Sequence, residues 1–379
     1  MTTTTSISDR RAVTERRADL VILALLFLLT GLCPSAAASA AKWNAATCDG
    51  EADPDFICGP ANAEDLVRIP GTHWVLASHM AGPGETRGMF YLLNAADHSW
   101  RSLEIDAIQA EPDSAAYPDC PGRPASASFH GQGLALAERE DGLRLLAVGH
   151  GGREAVEIFD IVLEADKEPS LVWRGCVPAP DGAQLNSVAA LPDGAFAVTK
   201  FFDENDTGWT EKLTAGKATG AVLEWSPGNG WEEVEGTAMS GPNGILATPD
   251  GSAYFVAEWR ARRVHRIERS AVSPRRQSVD IGVFADNLQW DEAGRVLVTG
   301  QRAENVEAFA ECPMSDARVC HGAFDVLRID PETLKAETIV RDPGSKEFGS
   351  GTTALDLGSE YWIGTFRGNR IARISKTGP

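Results

Sequence analysis

The stretch Ser240-Gly-Pro-Asn-Gly-Ile-Leu-Ala-Thr-Pro-Asp-Gly-Ser-Ala-Tyr-Phe-Val-Ala-Glu258 decides the fold. It reads as a polar loop, a short apolar strand, a Pro-Asp-Gly turn and a second apolar strand. The same layout recurs from Glu64, Phe129, Leu185, Asp286 and Thr352, giving six copies spaced by about 45 to 65 residues. Repeats of that length, each with room for about four short strands, are the mark of a β-propeller. No βαβ crossover pattern competes with this reading. The expected fold is therefore all-β: a six-bladed β-propeller with four-stranded antiparallel blades around a central channel. Residues 41–62 read as irregular. The polar, Gly-rich interval Phe202 to Lys217 reads as a surface loop, either a lid or a variable insertion.

Composition agrees. The 379 residues include 37 Gly, 21 Pro and 10 Trp, which suits tight turns and short strands better than helices. One domain over residues 41–379 is long enough to bury a core without staples. The formal net charge of −19 argues against a nucleic-acid partner, which needs clustered Lys and Arg.

Residues 1–40 read as a cleaved signal peptide. Arg10, Arg11, Arg16 and Arg17 form a basic head, Leu20–Leu32 an apolar run, and Ala38-Ser39-Ala40 a small-residue cleavage site. The apolar run is shorter than the about 20 residues needed to span a bilayer. Extended through Ala41 it reaches that length, so a membrane association is expected only if the segment is retained. The chain is expected to be secreted or periplasmic. Apart from Cys33, six cysteines remain, and in an oxidising compartment an even number points to disulfides, with fifteen pairings open. Short loops favour Cys48 with Cys58 and Cys312 with Cys320, leaving Cys120 with Cys176. No Cys-x-x-Cys motif supports zinc or redox chemistry.

In a propeller the first residues of each innermost strand lie near one mouth of the channel. Those heads are Glu64, His130, Asn186, Asn243, Asp286 with Asn287, and Thr352. Three carboxamides and two acids around one channel are costly if left unpaired. A hard divalent cation removes that cost, since calcium takes about six to eight oxygens from carboxylates, amide carbonyls and water. Glu64 and Asp286 would balance its charge, while Asn186, Asn243 and Asn287 add neutral oxygens. Taken singly, Asn243-Gly244 is a turn, Asp286-Asn287 a cap and Glu64-Asp65 an acidic pair. Their repetition at matching places is what points to Ca2+.

Glu64-Asp65-Leu, Phe129-His130-Gly, Val148-Gly-His150, Leu185-Asn186-Ser, Pro242-Asn243-Gly-Ile and Asp286-Asn287 resemble, in order and context, the motifs of the paraoxonase/arylesterase family. More broadly they resemble the SMP-30/gluconolactonase-like calcium-dependent propellers. The resemblance spans residues 58–374 and implies a six-bladed propeller with calcium in its tunnel, hydrolysing lactones and aryl esters. It implies that Glu64, Asn186, Asn243, Asp286 and Asn287 hold the catalytic calcium, and that His130 and His150 form the pair that activates water. Asp65 matches a ligand of a second, structural calcium, but Ser187 stands where that ion needs an aspartate. No cysteine follows Cys320, so ring closure is left to strand pairing or a different bridge. Phe201, Trp259 and Trp290 follow the channel motifs as candidates to shape the pocket.

The leading expectation is thus an exported calcium-dependent hydrolase acting on a small-molecule lactone or aryl ester. A sugar-lactone hydrolase is the second reading, and a non-enzymatic, calcium-plugged propeller that binds a ligand or protein partner is the third. Loss of turnover on chelation would separate the first two from the last.

Overall fold

The computed structural model describes residues 43–376 apart from positions 50, 54, 83, 86–87 and 270–274. The expected leader, with its arginines and Cys33, lies outside the described residues. Among the described residues six blade sheets follow one another along the chain beside a two-stranded sheet of Thr47–Cys48 and Glu51–Ala52, and four blades are built wholly in sequence order from the innermost strand outward. Blade 1 comprises Ala63–Arg68, Trp74–His79, Phe90–Asn94 and Trp100–Leu103. Blade 2 runs from Phe129–Arg139 to Ser170–Pro178 and carries Gln109–Ala110 as an additional parallel edge strand. Blades 3, 4 and 5 begin with Ala183–Ala190, Pro242–Ala247 and Phe284–Trp290. Blade 6 begins with Gly351–Asp356.

Blade 6 corrects one expectation. Its outermost strand is Phe56–Cys58, inside the interval read as irregular, and it pairs antiparallel with Arg370–Ser375. The ring therefore closes by pairing an early strand with the last described one, which completes blade 6 at four strands. Cys58 is bonded to Cys48, so this disulfide pins the entering chain to the closing strand. The other bridges join Cys120 to Cys176 and Cys312 to Cys320.

The inner strands of the blades are buried on both sides because each sheet packs face to face with its neighbours, while outer strands such as Arg276–Asp280 and Ala336–Asp342 are largely exposed. Among the described residues, every interface between successive blades holds its own apolar cluster. Leu76, Phe90, Phe129, Phe159 and Trp173 knit blade 1 to blade 2, while Ile57, Leu355 and Trp362 of blade 6 pack on Leu66 and Tyr91 of blade 1. These interfaces hold the six inner strands in a closed ring, each touching the next and the last touching the first.

The inner strands approach one another very closely. A Cβ on Gly133 would sit 2.5 Å from the Ser187 Cα, and one on Gly244 would sit 2.5 Å from the Asp286 carbonyl oxygen. Only glycine allows that approach.

Candidate active site at the head of the channel

Each inner strand begins with a break in register. In blades 1, 3, 4 and 5 two residues, Glu64-Asp65, Asn186-Ser187, Asn243-Gly244 and Asp286-Asn287, stand opposite a single residue of the next strand. Blade 2 does the same with Gln132-Gly133, and blade 6 is offset at Thr352. Such bulges re-aim side chains that an even pleat would send into the blade interfaces. The sequence motif at each strand head is thus a bulge motif, and it turns polar groups toward the channel.

The polar groups at the heads are buried and tie to each other selectively. The Asn287 amide nitrogen donates to Glu64 Oε1 at 2.8 Å, and the Asn243 side chain lies by the Asp286 carboxylate and favours its charged form. Using the Asn287 nitrogen in this way leaves its carbonyl oxygen free. Glu64 Oε2, Asn186 Oδ1, Asn243 Oδ1 and Asn287 Oδ1 are all buried without a hydrogen-bond partner among the described residues. Burying unpaired acceptors is expensive, by about 1–3 kcal/mol each. The orphans belong to the predicted ligand set, and all are oxygens. Thr352, the remaining head, spends its hydroxyl on the Glu64 carbonyl at 2.7 Å. Gln301 steadies Asp286 from behind, its amide nitrogen lying 2.6 Å from Oδ2.

Among the described residues no three His, Cys, Asp or Glu side chains group as metal ligands. This set has two carboxylates and takes its remaining oxygens from carboxamides, so it suits a hard, oxygen-seeking cation rather than zinc or copper. Electrostatics agree. Burial pushes the Glu64 carboxyl well up, helped by the neighbouring Asp286 and Asp65 charges. Burial likewise raises Asp286 to about 7. A cation among them would relieve both.

Asp65, the next residue along, has different surroundings. Its Oδ1 accepts from the Leu66 N–H at 2.9 Å, the Thr353 hydroxyl at 3.0 Å and the Gln289 amide at 3.1 Å. Its Oδ2 accepts from the Leu134 N–H at 2.8 Å. Burial raises it to about 6 against the pull of these donors.

His130 and His150 are direct cross-strand partners in blade 2, with ring centroids 5.3 Å apart. His130 Nδ1 has no partner among the described residues, and burial together with the adjacent His150 lowers its pKa to about 4, so the ring is neutral near pH 7. His150 is held at both nitrogens: Nδ1 lies 2.6 Å from Glu154 Oε1 and Nε2 2.6 Å from Gln132 Oε1.

Above the heads opens a cavity of about 990 Å³, floored by Glu64, Asn186, Asn243 and Asp286. Its two sides differ. Toward blade 2 it is polar, with His130, His150, Gln132 and Glu154. Toward blades 3 to 5 it is aromatic. Helix α1 (Trp209–Thr214) stacks Trp209 on Phe202 at 4.0 Å. Helix α2 (Val306–Ala310), capped by the Asn305 side chain, sets Phe309 against Trp259 at 5.0 Å. Among the described residues no Lys or Arg lines the cavity.

A family model described as arylesterase matches residues 62–342. The chain belongs to the arylesterase family. It is similar to human serum paraoxonase/arylesterase 1, with 27% identity over 323 residues covering 80% of this chain and 83% of the relative. Among solved structures, a luciferin-regenerating enzyme superposes with a TM-score of 0.51 at 11% identity, covering 84% of this chain and 93% of that one. A calcium-binding protein, regucalcin, from Agrobacterium tumefaciens str. C58 gives a TM-score of 0.47 at 14% identity over 83% and 90% of the two chains. Family membership supports ester or lactone hydrolysis as the general chemistry.

In this arylesterase-family chain the expected ligand residues, His130 and His150 sit together around one channel mouth. Phe201 and Trp259 line the cavity as well. Trp290 does not. It lies past the bulge toward the opposite end of its strand, where its indole donates to the Ala247 carbonyl at 3.3 Å beside a separate depression. The interval 202–217 supplies helix α1 and part of the cavity wall, beyond the surface loop expected of it. Sequence reading missed Gln132, Glu154 and Gln301. Gln132 was within reach, two residues from His130 on one strand.

Proposed function

We propose that the chain is an exported calcium-dependent hydrolase of lactones and aryl esters. One observation carries this reading: four buried, unpartnered oxygens of the predicted ligand set lie beneath a large, half-aromatic cavity that also holds a neutral imidazole. Glu64, Asn186, Asn243, Asp286 and Asn287 would hold the ion. Bound there, calcium supplies an electrophile that polarises the ester carbonyl and stabilises its oxyanion.

The chain's own groups do the rest. His130, whose neutral imidazole lines the cavity, accepts a proton as water adds to the carbonyl carbon. When the ester C–O bond breaks, the same proton passes to the departing alkoxide. The aromatic wall formed by Phe202, Trp209, Trp259 and Phe309 holds the apolar part of the substrate and keeps bulk water away. That wall favours aryl and alkyl substrates over sugar lactones, which present hydroxyls on every side. Export rests on the leader pattern in residues 1–40 together with three disulfides, which persist in oxidising compartments.

The test is a panel of aliphatic lactones, aryl esters and sugar lactones assayed with calcium and with chelator. Hydrolysis of the first two classes should require calcium and should fall sharply in Asn243→Ala and His130→Gln while both variants stay folded. Absence of calcium-dependent turnover across the panel would leave a binding scaffold as the better reading.

A further inference from the structure

The clamp on His150 joins two halves of the site that sit on different blades. Glu154 Oε1 holds His150 Nδ1 at 2.6 Å, and its Oε2 accepts the Leu185 N–H at 3.2 Å. Leu185 begins the bulge of blade 3 and immediately precedes Asn186. A single carboxylate thus spans from the histidine pair of blade 2 to the strand head that presents one of the free carboxamide oxygens. A carboxylate only accepts, so the hydrogen shared with His150 sits on Nδ1. With that hydrogen on Nδ1 a neutral ring accepts at Nε2, so the Gln132 amide, 2.6 Å away on the opposite side, meets it with its N–H end turned toward the ring, and the imidazole is held from both sides. The Glu154 side chain is about one-fifth exposed, at 19%, and lines the polar side of the cavity.

We propose that Glu154 is a positioning residue for the hydrolysis: it fixes the tautomer and orientation of His150, and registers the His130–His150 pair against the Asn186 strand head. This rests on the hydrolase reading above. Carboxylates that orient an imidazole by accepting its second N–H act through that ring and not on the substrate. Glu154 is not in contact with the proposed ligand oxygens, so its loss should alter turnover more than cation binding.

The experiment uses the full chain with histidine labelled by 15N, in wild type, Glu154→Gln and Glu154→Ala. In Glu154→Gln, kcat should fall by about 10- to 100-fold with KM and calcium affinity near wild type. In Glu154→Ala the protected Nδ1–H resonance of His150 should be lost, and added formate should restore it with part of kcat. Wild-type kcat with the Nδ1–H resonance intact in Glu154→Ala would overturn the proposal. So would a fall in kcat that tracks an equal fall in calcium affinity and that formate does not restore, since that marks a purely structural link to blade 3. If no variant hydrolyses any substrate, the hydrolase reading fails, while the resonance still decides whether Glu154 sets the state of His150.

Discussion

Glu64 and Asp65 are adjacent carboxylates on the same bulge, and the channel treats them in opposite ways. At the upper level Glu64 shares its surroundings with Asp286 and three carboxamides whose oxygens lack donors. At the lower level Asp65 receives four hydrogen bonds from blades 1, 2, 5 and 6. Both are buried. Polar burial can thus be satisfied by internal donors or left open to an external cation, and one bulge turns its two residues to the two solutions. The upper level leaves acceptor oxygens open and the lower ties four blades together.

The largest expected break in this contrast comes from Asp286→Ala. Removing one of two charged ligands should lower calcium affinity on the order of 100-fold or more, with hydrolysis lost in step, as read by calorimetry and by activity against calcium concentration. Asp65→Ala should do the reverse. It leaves four donors without an acceptor and should cost about 3 kcal/mol or more in denaturant unfolding, while leaving calcium affinity much less affected than Asp286→Ala does.

A smaller effect is expected from Gln301→Leu, which removes the donor that steadies Asp286 but no ligand. Calcium affinity should drop about 10-fold with the fold intact, measured by titration. The smallest effect is one of pH. In the metal-free protein Asp286 is raised to about 7, above its ordinary carboxylate value. A group raised on folding contributes its full stability below its unfolded value near ~4 and loses it as pH rises through its folded value. Glu64 is shifted in the same direction. The metal-free protein should therefore melt at a lower temperature at pH 8 than at pH 5, and calcium should narrow that difference. A melting temperature that rises with pH in chelator would contradict the open upper level.

The clustering of the upper residues was legible in the sequence because each residue of the expected ligand set heads a repeated strand–turn–strand unit, so position within the repeat carries position in space. The lower level was not. Asp65 is matched by Gln289 and Thr353, which come from distant blades and meet it only after ring closure. The closing strand Phe56–Cys58 escaped notice for the same reason, since its partner lies at the far end of the chain and three residues carry no periodicity. Helices α1 and α2 have six and five residues, too short to show a helical repeat, yet they build the aromatic wall. Trp290 shows the converse error: nearness in sequence to Asp286-Asn287 placed it by the site, but the strand carries it to the other mouth.

The most direct measurement is a calcium titration of the metal-free chain by calorimetry, with lactone or aryl-ester hydrolysis followed on the same sample. One binding event per chain, with hydrolysis rising from zero in parallel and both abolished in Asp286→Ala, is the predicted result. Hydrolysis that persists in chelator, or calcium binding that survives Asp286→Ala and is lost instead in Asp65→Ala, would contradict it.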